Sequence, residues 1–162
     1  MADTWIVAHV LSVVAFLVVH AVPITTAFLL RRETDEEKVR RLVRISHRSV
    51  GITHLTMFLI LITGLALAQR GPWWSARWLW AALAVFMGLW AFMWWQGTKH
   101  YDKVRAAVGE KLFYPKKGAP PPPRATPEEL RRLLRSRHPY LLLLVGGAGF
   151  VLLAWLMMAK PF

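Results

Sequence analysis

The sequence contains no cysteine, which excludes disulfide bonds, thiolate metal sites and covalently attached c-type haem. It also holds few acidic residues, 9 against 21 lysines and arginines, and none of the 9 lies in the long apolar stretches. Membrane proton pumps usually carry carboxylates in their spans, so a pump of that kind is not expected, although a relay of histidines alone stays open. Nucleotide-binding loops, the nucleophile elbow and the HExxH motif are absent too, so we expect no enzyme of the soluble type.

Long apolar runs dominate what is present. Hydrophobic residues make up 56% of the 162-residue chain, which also has 9 tryptophans. Four stretches approach or exceed the roughly 20 residues that cross a bilayer as a helix. They are Thr4 to Leu30, Val50 to Ala68, Trp74 to Trp95 and Tyr140 to Met158. The sequence therefore predicts an all-α fold, a polytopic four-helix transmembrane bundle that forms one domain over residues 1–162.

The basic residues predict the orientation of these spans. Of the 21 lysines and arginines, only Arg70, Arg77 and Lys160 lie outside the two loops at residues 31–49 and 96–139. By the positive-inside rule both loops are cytoplasmic, so both termini lie outside in a bacterial inner membrane. The net charge of +12 then describes a membrane face that attracts anionic lipids and no nucleic acid, with an acidic partner protein as the alternative.

The first basic loop carries a helix start. Thr34 followed by Glu37 fits a capping box, with acidic residues at the helix start. No proline interrupts residues 35–68, so the sequence favours one helix that continues from the cytoplasm into the second span.

The second basic loop carries another helix start, at Thr126 and Glu129. Leucines on one side and arginines on the other predict a short amphipathic helix lying on the inner membrane surface. The run Pro120 to Pro123, which precedes this helix, is typical of a stiff linker. Less often, such a run is a segment that binds a proline-recognising partner protein.

Small residues predict where the spans pack. Ala84 and Gly88 in the third span form a small-xxx-small pair, and the segment from Gly146 to Gly149 forms a patch in the fourth. Such positions let helix backbones approach each other, and the second patch could also admit a flat cofactor.

Histidines within the spans are the strongest functional lead, because an ionisable residue inside a membrane usually has a function. His9 and His20 are three helical turns apart in the first span and lie on one side of it. His54 lies about one turn inside the second span, so the predicted topology places it at a depth similar to that of His20.

Two imidazoles at one depth on separate helices are what a six-coordinate b-type haem requires. The sequence therefore predicts His20 and His54 as axial ligands between the first two spans, with Arg44 and Arg48 beside the haem propionates and His9 as a lesser alternative ligand. Such a protein would serve electron transfer, with a membrane redox partner or as a homo-oligomer. The alternative is a non-catalytic accessory or scaffold protein whose histidines only hydrogen-bond neighbouring helices.

A copper site is a third hypothesis, because imidazole and thioether ligands suit Cu(I). His54 and Met57 lie one turn apart, and further methionines would have to complete the site. The candidates are Met87, Met93, Met157 and Met158. Scattered methionines are more often core residues.

Three more histidines lie beside basic residues near the predicted inner interface, where a solvated ring is the usual case. They are His47, His100 and His138.

Five strings of the sequence carry a family resemblance. They are IVAHVLSVVAFLVVHAVP, RRETDEEKVRRLVRISHRS, HLTMFLILITGLALAQRGPWW, WLWAALAVFMGLW and HYDKVRAAVG. They resemble uncharacterised bacterial predicted integral membrane proteins grouped with the copper-resistance membrane protein D superfamily. The resemblance implies a four-helix inner-membrane protein, sometimes placed beside respiratory or haem-handling components, in which His9 matches an early histidine and Thr63, Gly64 and Leu65 match a TGL turn. The long proline-rich second loop departs from the family pattern.

Overall fold

A computed structural model describes residues 4–113, 115 and 123–161. Of these residues 83% are helical, and they form no strand. The helices are α1 (Thr4–Leu30), α2 (Glu36–Ala68), α3 (Arg77–Ala107), α4 (Pro127–Leu134) and α5 (His138–Ala159), with a 3-10 turn at Pro72–Ser75. Four helical segments, the last comprising α4 and α5, are long and apolar enough to cross a membrane. The predicted all-α fold is confirmed, and the protein is a multi-pass membrane protein.

The four long helices pack as two hairpins. The first hairpin consists of α1 and α2, which pack against each other along their lengths, and the second consists of α3 and α5. Contacts between the two hairpins are sparse by comparison. The bundle is therefore two tight pairs with a looser interface between them.

The buried core lies at one end of the bundle, which we call the basic end because both basic loops lie there. At this end α1 and α3 finish and α2, α4 and α5 begin. Val39 and Val108 are completely buried, and Leu134 of α4 packs into the same cluster. The predicted amphipathic helix thus exists, and its apolar side is covered by the protein. The full cluster is Leu30, Val39, Val43, Val104, Val108 and Leu134.

The helix starts correct one sequence prediction and confirm another. The N-cap of α2 is Asp35, whose carboxylate accepts a hydrogen bond from the Glu37 amide at 2.9 Å. The capping role predicted for Thr34 is therefore wrong, because a neighbouring carboxylate, which forms the stronger charge-assisted bond, takes that position. At α4 the capping box of Thr126 and Glu129 is formed as predicted.

Two helices extend beyond the membrane stretches that the sequence outlines. Helix α2 runs without a break from Glu36 to Ala68, as predicted. Helix α3 continues well past Trp95, into what the sequence places in the second loop, and ends where Gly109 adopts a φ of 72°. Residues 116–122, with most of the predicted proline linker, lie outside the described residues.

The small residues divide into packed and exposed sets. A β-carbon at Gly149 would collide with Leu89 of α3, and one at Gly146 would collide with Met93. That patch therefore serves helix packing. Ala84 and Gly88 of α3 are exposed, and no atom of the neighbouring helices lies within 4 Å of the position of a Gly88 β-carbon.

Candidate functional site

A hydrogen bond between α1 and α2 marks their register. The Nδ1 atom of His9 lies 3.0 Å from the hydroxyl oxygen of Thr63. That hydroxyl donates its own hydrogen to the carbonyl of Leu59 at 2.6 Å, so the His9 ring is the donor. Gly64 leaves room for the ring, because a β-carbon there would lie 3.3 Å from His9 Cε1. The His9 ring thus joins the two helices of the first hairpin.

This register sets the height of His20. His20 follows His9 by eleven residues on α1. Because α2 runs antiparallel to α1, the residues of α2 at the height of His20 lie eleven positions before Thr63 and Gly64. They are Ile52 and Thr53. At about 1.5 Å per residue, His54 is then within about 3 Å of the level of His20 along the bundle.

The ring of His20 is partly buried and lacks a polar partner. It stacks on Phe16 one turn earlier, with 4.9 Å between ring centroids and an angle of 14° between the planes. Its Nδ1 atom is buried and has no hydrogen-bond partner within the described part of the chain. A buried unpaired ring nitrogen is costly, and a site that binds a ligand is one explanation for it.

His54 is held differently. Its Nδ1 atom lies 2.8 Å from the carbonyl oxygen of Val50 and donates a hydrogen to it. That bond fixes the tautomer in which Nε2 carries a lone pair, and metal-ligating histidines are commonly oriented by such a bond. The ring lies 6.1 Å from that of Trp90 on α3, centroid to centroid.

Aromatic rings surround Trp90 at the contact between α2 and α3. Phe58 packs edge-on against it at 4.7 Å, and Phe86 packs edge-on at 5.9 Å. His54 thus belongs to the interface between the hairpins and does not lie in the seam of α1 with α2. Among the ring contacts of the described residues, none joins His54 to His20.

The predicted propionate partners lie at the basic end, and one is already paired. Arg44 makes ion pairs with Glu37 at 3.4 Å and with Glu110 at 3.5 Å. Arg48 is exposed on the surface of α2. Both could meet an anion, but Arg48 is the less engaged of the two.

Metal ligands are sparse in the structure. Within residues 4–113, 115 and 123–161, no group of three or more His, Cys, Asp or Glu side chains is placed to hold a metal ion. Met93, one candidate copper ligand, packs toward Gly146 of α5. The donors available for a metal near His54 are therefore its own Nε2, the thioether of Met57 one turn along α2, and whatever a second helix supplies.

Two hollows at the basic end lie away from both predicted ligands, His20 and His54. One, of about 10 Å³, holds at most a water molecule and is lined at the basic end by Leu30, His100 and Val104 among others. The other is a surface concavity on α2. Two imidazoles are ligands of the type that a b-type haem takes, and a macrocycle bound to His54 would have to enter through the looser interface between the hairpins, where that ring lies.

A stacked pair of histidines at the basic end was not foreseen. The rings of His100 and His138 lie 4.3 Å apart with 23° between their planes. Ser136 bonds His100 at 3.1 Å, and the Gln96 carbonyl accepts from His138 at 3.0 Å. Both rings are partly buried, so the prediction that they are solvated is wrong. These hydrogen bonds join residues that are 36 or more positions apart, and no local pattern in the sequence predicts such contacts.

These rings lie at the basic end, beyond the apolar stretches Trp74 to Trp95 and Tyr140 to Met158 that the sequence outlines. Burial lowers the pKa of His100 to about 4, and repulsion from Lys103 and from His138 when that ring is protonated adds to this effect. The pKa of His138 is also lowered by burial. The His100 ring is therefore neutral at physiological pH.

A buried arginine is the other residue that the sequence analysis missed. Arg105 is 2% exposed, and it donates hydrogen bonds to the carbonyl oxygens of Lys111 and Val43 and lies 4.0 Å from Asp102. It thus ties α3 to α2 and to the following loop. The spacing of Asp102 and Arg105 on one helix was the available hint.

Comparison of the chain with protein-family models, with curated proteins and with solved structures gives no match.

Proposed function

We propose that this protein binds b-type haem in a bacterial inner membrane and serves electron transfer as a subunit or partner of a redox complex. One observation carries the proposal. By the register that the bond of His9 to Thr63 marks, His20 and His54 would come to about one height on different helices, and each retains a ring nitrogen with no hydrogen-bond partner among the described residues. Haem needs one such nitrogen on each axial face.

The two ligands would contribute differently. The bond of His54 to the Val50 carbonyl holds its ring in place and presents Nε2 away from its own helix. His20 has no such orienting bond and rests on the Phe16 ring. When bound, haem would supply a one-electron carrier in the membrane. The aromatic rings around Trp90 would exclude water from the side of His54.

The orientation belongs to the same proposal. The basic end would face the cytoplasm, because the two loops there carry nearly all the lysines and arginines. His20 and His54 would then lie in the inner half of the membrane. Arg48, six residues before His54, would be about 9 Å from it along the helix, so it and Arg44 would be the nearest cations for propionates.

The resemblance to the predicted integral membrane proteins agrees with this proposal but assigns no activity. It leads to the expectation of a neighbour among respiratory or haem-handling components. A membrane redox partner or a second copy of the chain would be the acceptor of electrons.

An absorption spectrum tests the proposal. Protein purified from a haem-replete host should show Soret and alpha bands, and His20→Ala or His54→Ala should abolish them. His9→Ala is the matched control, since that ring is bonded to Thr63. A colourless wild-type protein would contradict the proposal.

A second candidate function is a non-catalytic accessory or scaffold protein. The bond between His9 and Thr63 favours it, because this histidine does join helices. Neither cavity described above is lined by His20 or His54, which also favours it. A colourless but stably folded protein would favour this function. Metal analysis that found copper at one atom per chain would instead favour a site built from His54 and Met57.

A further inference from the structure

A shallow concavity lies on the outer side of α2 at the basic end. Its volume is about 250 Å³, and its lining residues are Arg41, Arg44, Ile45 and Arg48. Because these residues are spaced three and four apart, they share one side of the helix. Three guanidinium groups thus surround one exposed isoleucine, whose exposure is 46%.

The positive charge of this concavity is only partly compensated. Arg44 is paired with Glu37 and Glu110. Arg41 and Arg48 are exposed and make no ion pair with any residue that the structure describes. Exposed like charges on one helix side repel each other, so an anion from outside the protein would lower the energy of this arrangement.

The same side of α2 becomes apolar on the membrane side of Arg48. Ile52 is 51% exposed and Leu55 is 59% exposed. They follow Arg48 at spacings of four and three, and the exposed Leu59 and Ile62 continue the row. A row of cations thus leads directly into a row of lipid-facing apolar side chains.

We infer that this side of α2 is a binding site for an anionic phospholipid of the surrounding membrane. Guanidinium groups suit phosphate oxygens because they present several donors in a planar fork. The phosphate lies between Arg41 and Arg48, and the acyl chains lie along Ile52 and Leu55. A free phosphate would leave Ile45 and this apolar row unused, so the lipid is the better occupant.

The site would compete with a haem propionate for Arg48. The lipid-facing row beside that arginine favours the phosphate. This inference does not depend on haem binding, because it rests on α2 alone.

Native mass spectrometry of protein released from nanodiscs tests the inference. The nanodiscs contain equal amounts of phosphatidylglycerol and phosphatidylcholine. The wild type should retain phosphatidylglycerol selectively. In the double variant Arg41→Gln/Arg48→Gln, the ratio of retained phosphatidylglycerol to phosphatidylcholine should be about 25-fold lower. Each basic residue near an anionic surface contributes about a factor of five to this ratio.

Two variants serve as controls. Arg131→Gln/Arg132→Gln removes the same charge from exposed positions of α4 and should keep most of the preference. Arg41→Lys/Arg48→Lys keeps the charge and should retain lipid, which separates loss of the site from loss of folding. Millimolar glycerol 3-phosphate should not displace the lipid.

Several results would overturn the inference. One is equal retention by the wild type and the Gln variant, and another is equal loss in the α4 control, which would indicate net charge alone. Displacement by glycerol 3-phosphate would indicate a free phosphate ligand. Loss of haem with unchanged lipid retention in Arg41→Gln/Arg48→Gln would assign Arg48 to a propionate.

Discussion

The Nδ1 atom of His9 donates a hydrogen bond to the hydroxyl oxygen of Thr63 across 3.0 Å. This contact joins α1 to α2 far from the buried core at the basic end, and it marks how far one helix is shifted along the other within their extensive packing. By that register, His20 would lie about level with Ile52 and Thr53, one or two residues from His54 on α2.

Removing that bond should weaken the first hairpin. His9→Ala or Thr63→Val should each lower the free energy of unfolding by about 1 kcal/mol, the usual size of a hydrogen bond between membrane helices. The two losses should not add in the double variant, because both remove one bond. Ser12→Ala is the control, since the Ser12 hydroxyl bonds to Ala8 of its own helix. Unfolding in mixed micelles measures these free energies, and fully additive losses would contradict the bond.

Packing in the second hairpin should be sensitive at Gly149 and insensitive at Gly147. A β-carbon at Gly149 would collide with Leu89, whereas one at Gly147 would meet no atom of a neighbouring helix within 4 Å. Gly149→Ala should therefore destabilise the protein by about 1–3 kcal/mol through overpacking. Gly147→Ala should be neutral or slightly stabilising. Equal effects of the two substitutions, measured by thermal unfolding, would mean that α3 and α5 pack on other sides.

Arg105 should be the most sensitive charged residue at the basic end. Arg105→Met removes the donor to the Val43 and Lys111 carbonyls and leaves Asp102 without its buried partner. We expect a loss of about 3 kcal/mol in the free energy of unfolding. Arg132→Met, at an exposed position, should change it by less than about 0.5 kcal/mol. A change at Arg105 as small as that at Arg132 would contradict its placement in the core.

The stacked pair of His100 and His138 should make the basic end sensitive to acid. The pKa of His100 is about 4 in the folded protein, against about 6.5 in an unfolded chain. The unfolded state therefore binds the proton first. The stability is complete above pH 6.5 and declines as the pH falls toward 4.

Hydrogen exchange of the α4 amides, corrected for intrinsic rates, measures this decline. Protection of α4 should fall between pH 7.5 and pH 5 in the wild type. His100→Gln should reduce the pH dependence, because it removes the group with the largest lowering of its pKa at this end. If the protection of α4 depends on pH as steeply in His100→Gln as in the wild type, titratable groups other than His100 cause the decline.

The sequence predicts the helices well because the signals for them are local. Uninterrupted apolar runs indicate the spans, and the capping box at Thr126 indicates the start of α4. The start of α2 was misplaced by one residue, because Thr34 and Asp35 are both good caps and only the local backbone decides between them. The length of α3 was underestimated, because charged residues after Trp95 look like a loop although they are good helix formers.

The direction of individual side chains was much harder to predict. Helix α1 is apolar on nearly every side, so periodicity does not indicate which side of it faces α2. Residues 50–68 of α2 are mostly apolar as well, so the sequence could not show that His54 turns toward Trp90 of α3. The contact of His100 with His138 depends on where α5 begins relative to the end of α3, which is a long-range property of packing.

The most direct test of the central claim is the reduced-minus-oxidised spectrum of the purified protein and its histidine variants. We expect the alpha band that is typical of b-type haem in the wild type and in His9→Ala, and no such band in His54→Ala or His20→Ala. A wild-type protein without the band, or a band that survives loss of both His20 and His54, would contradict it.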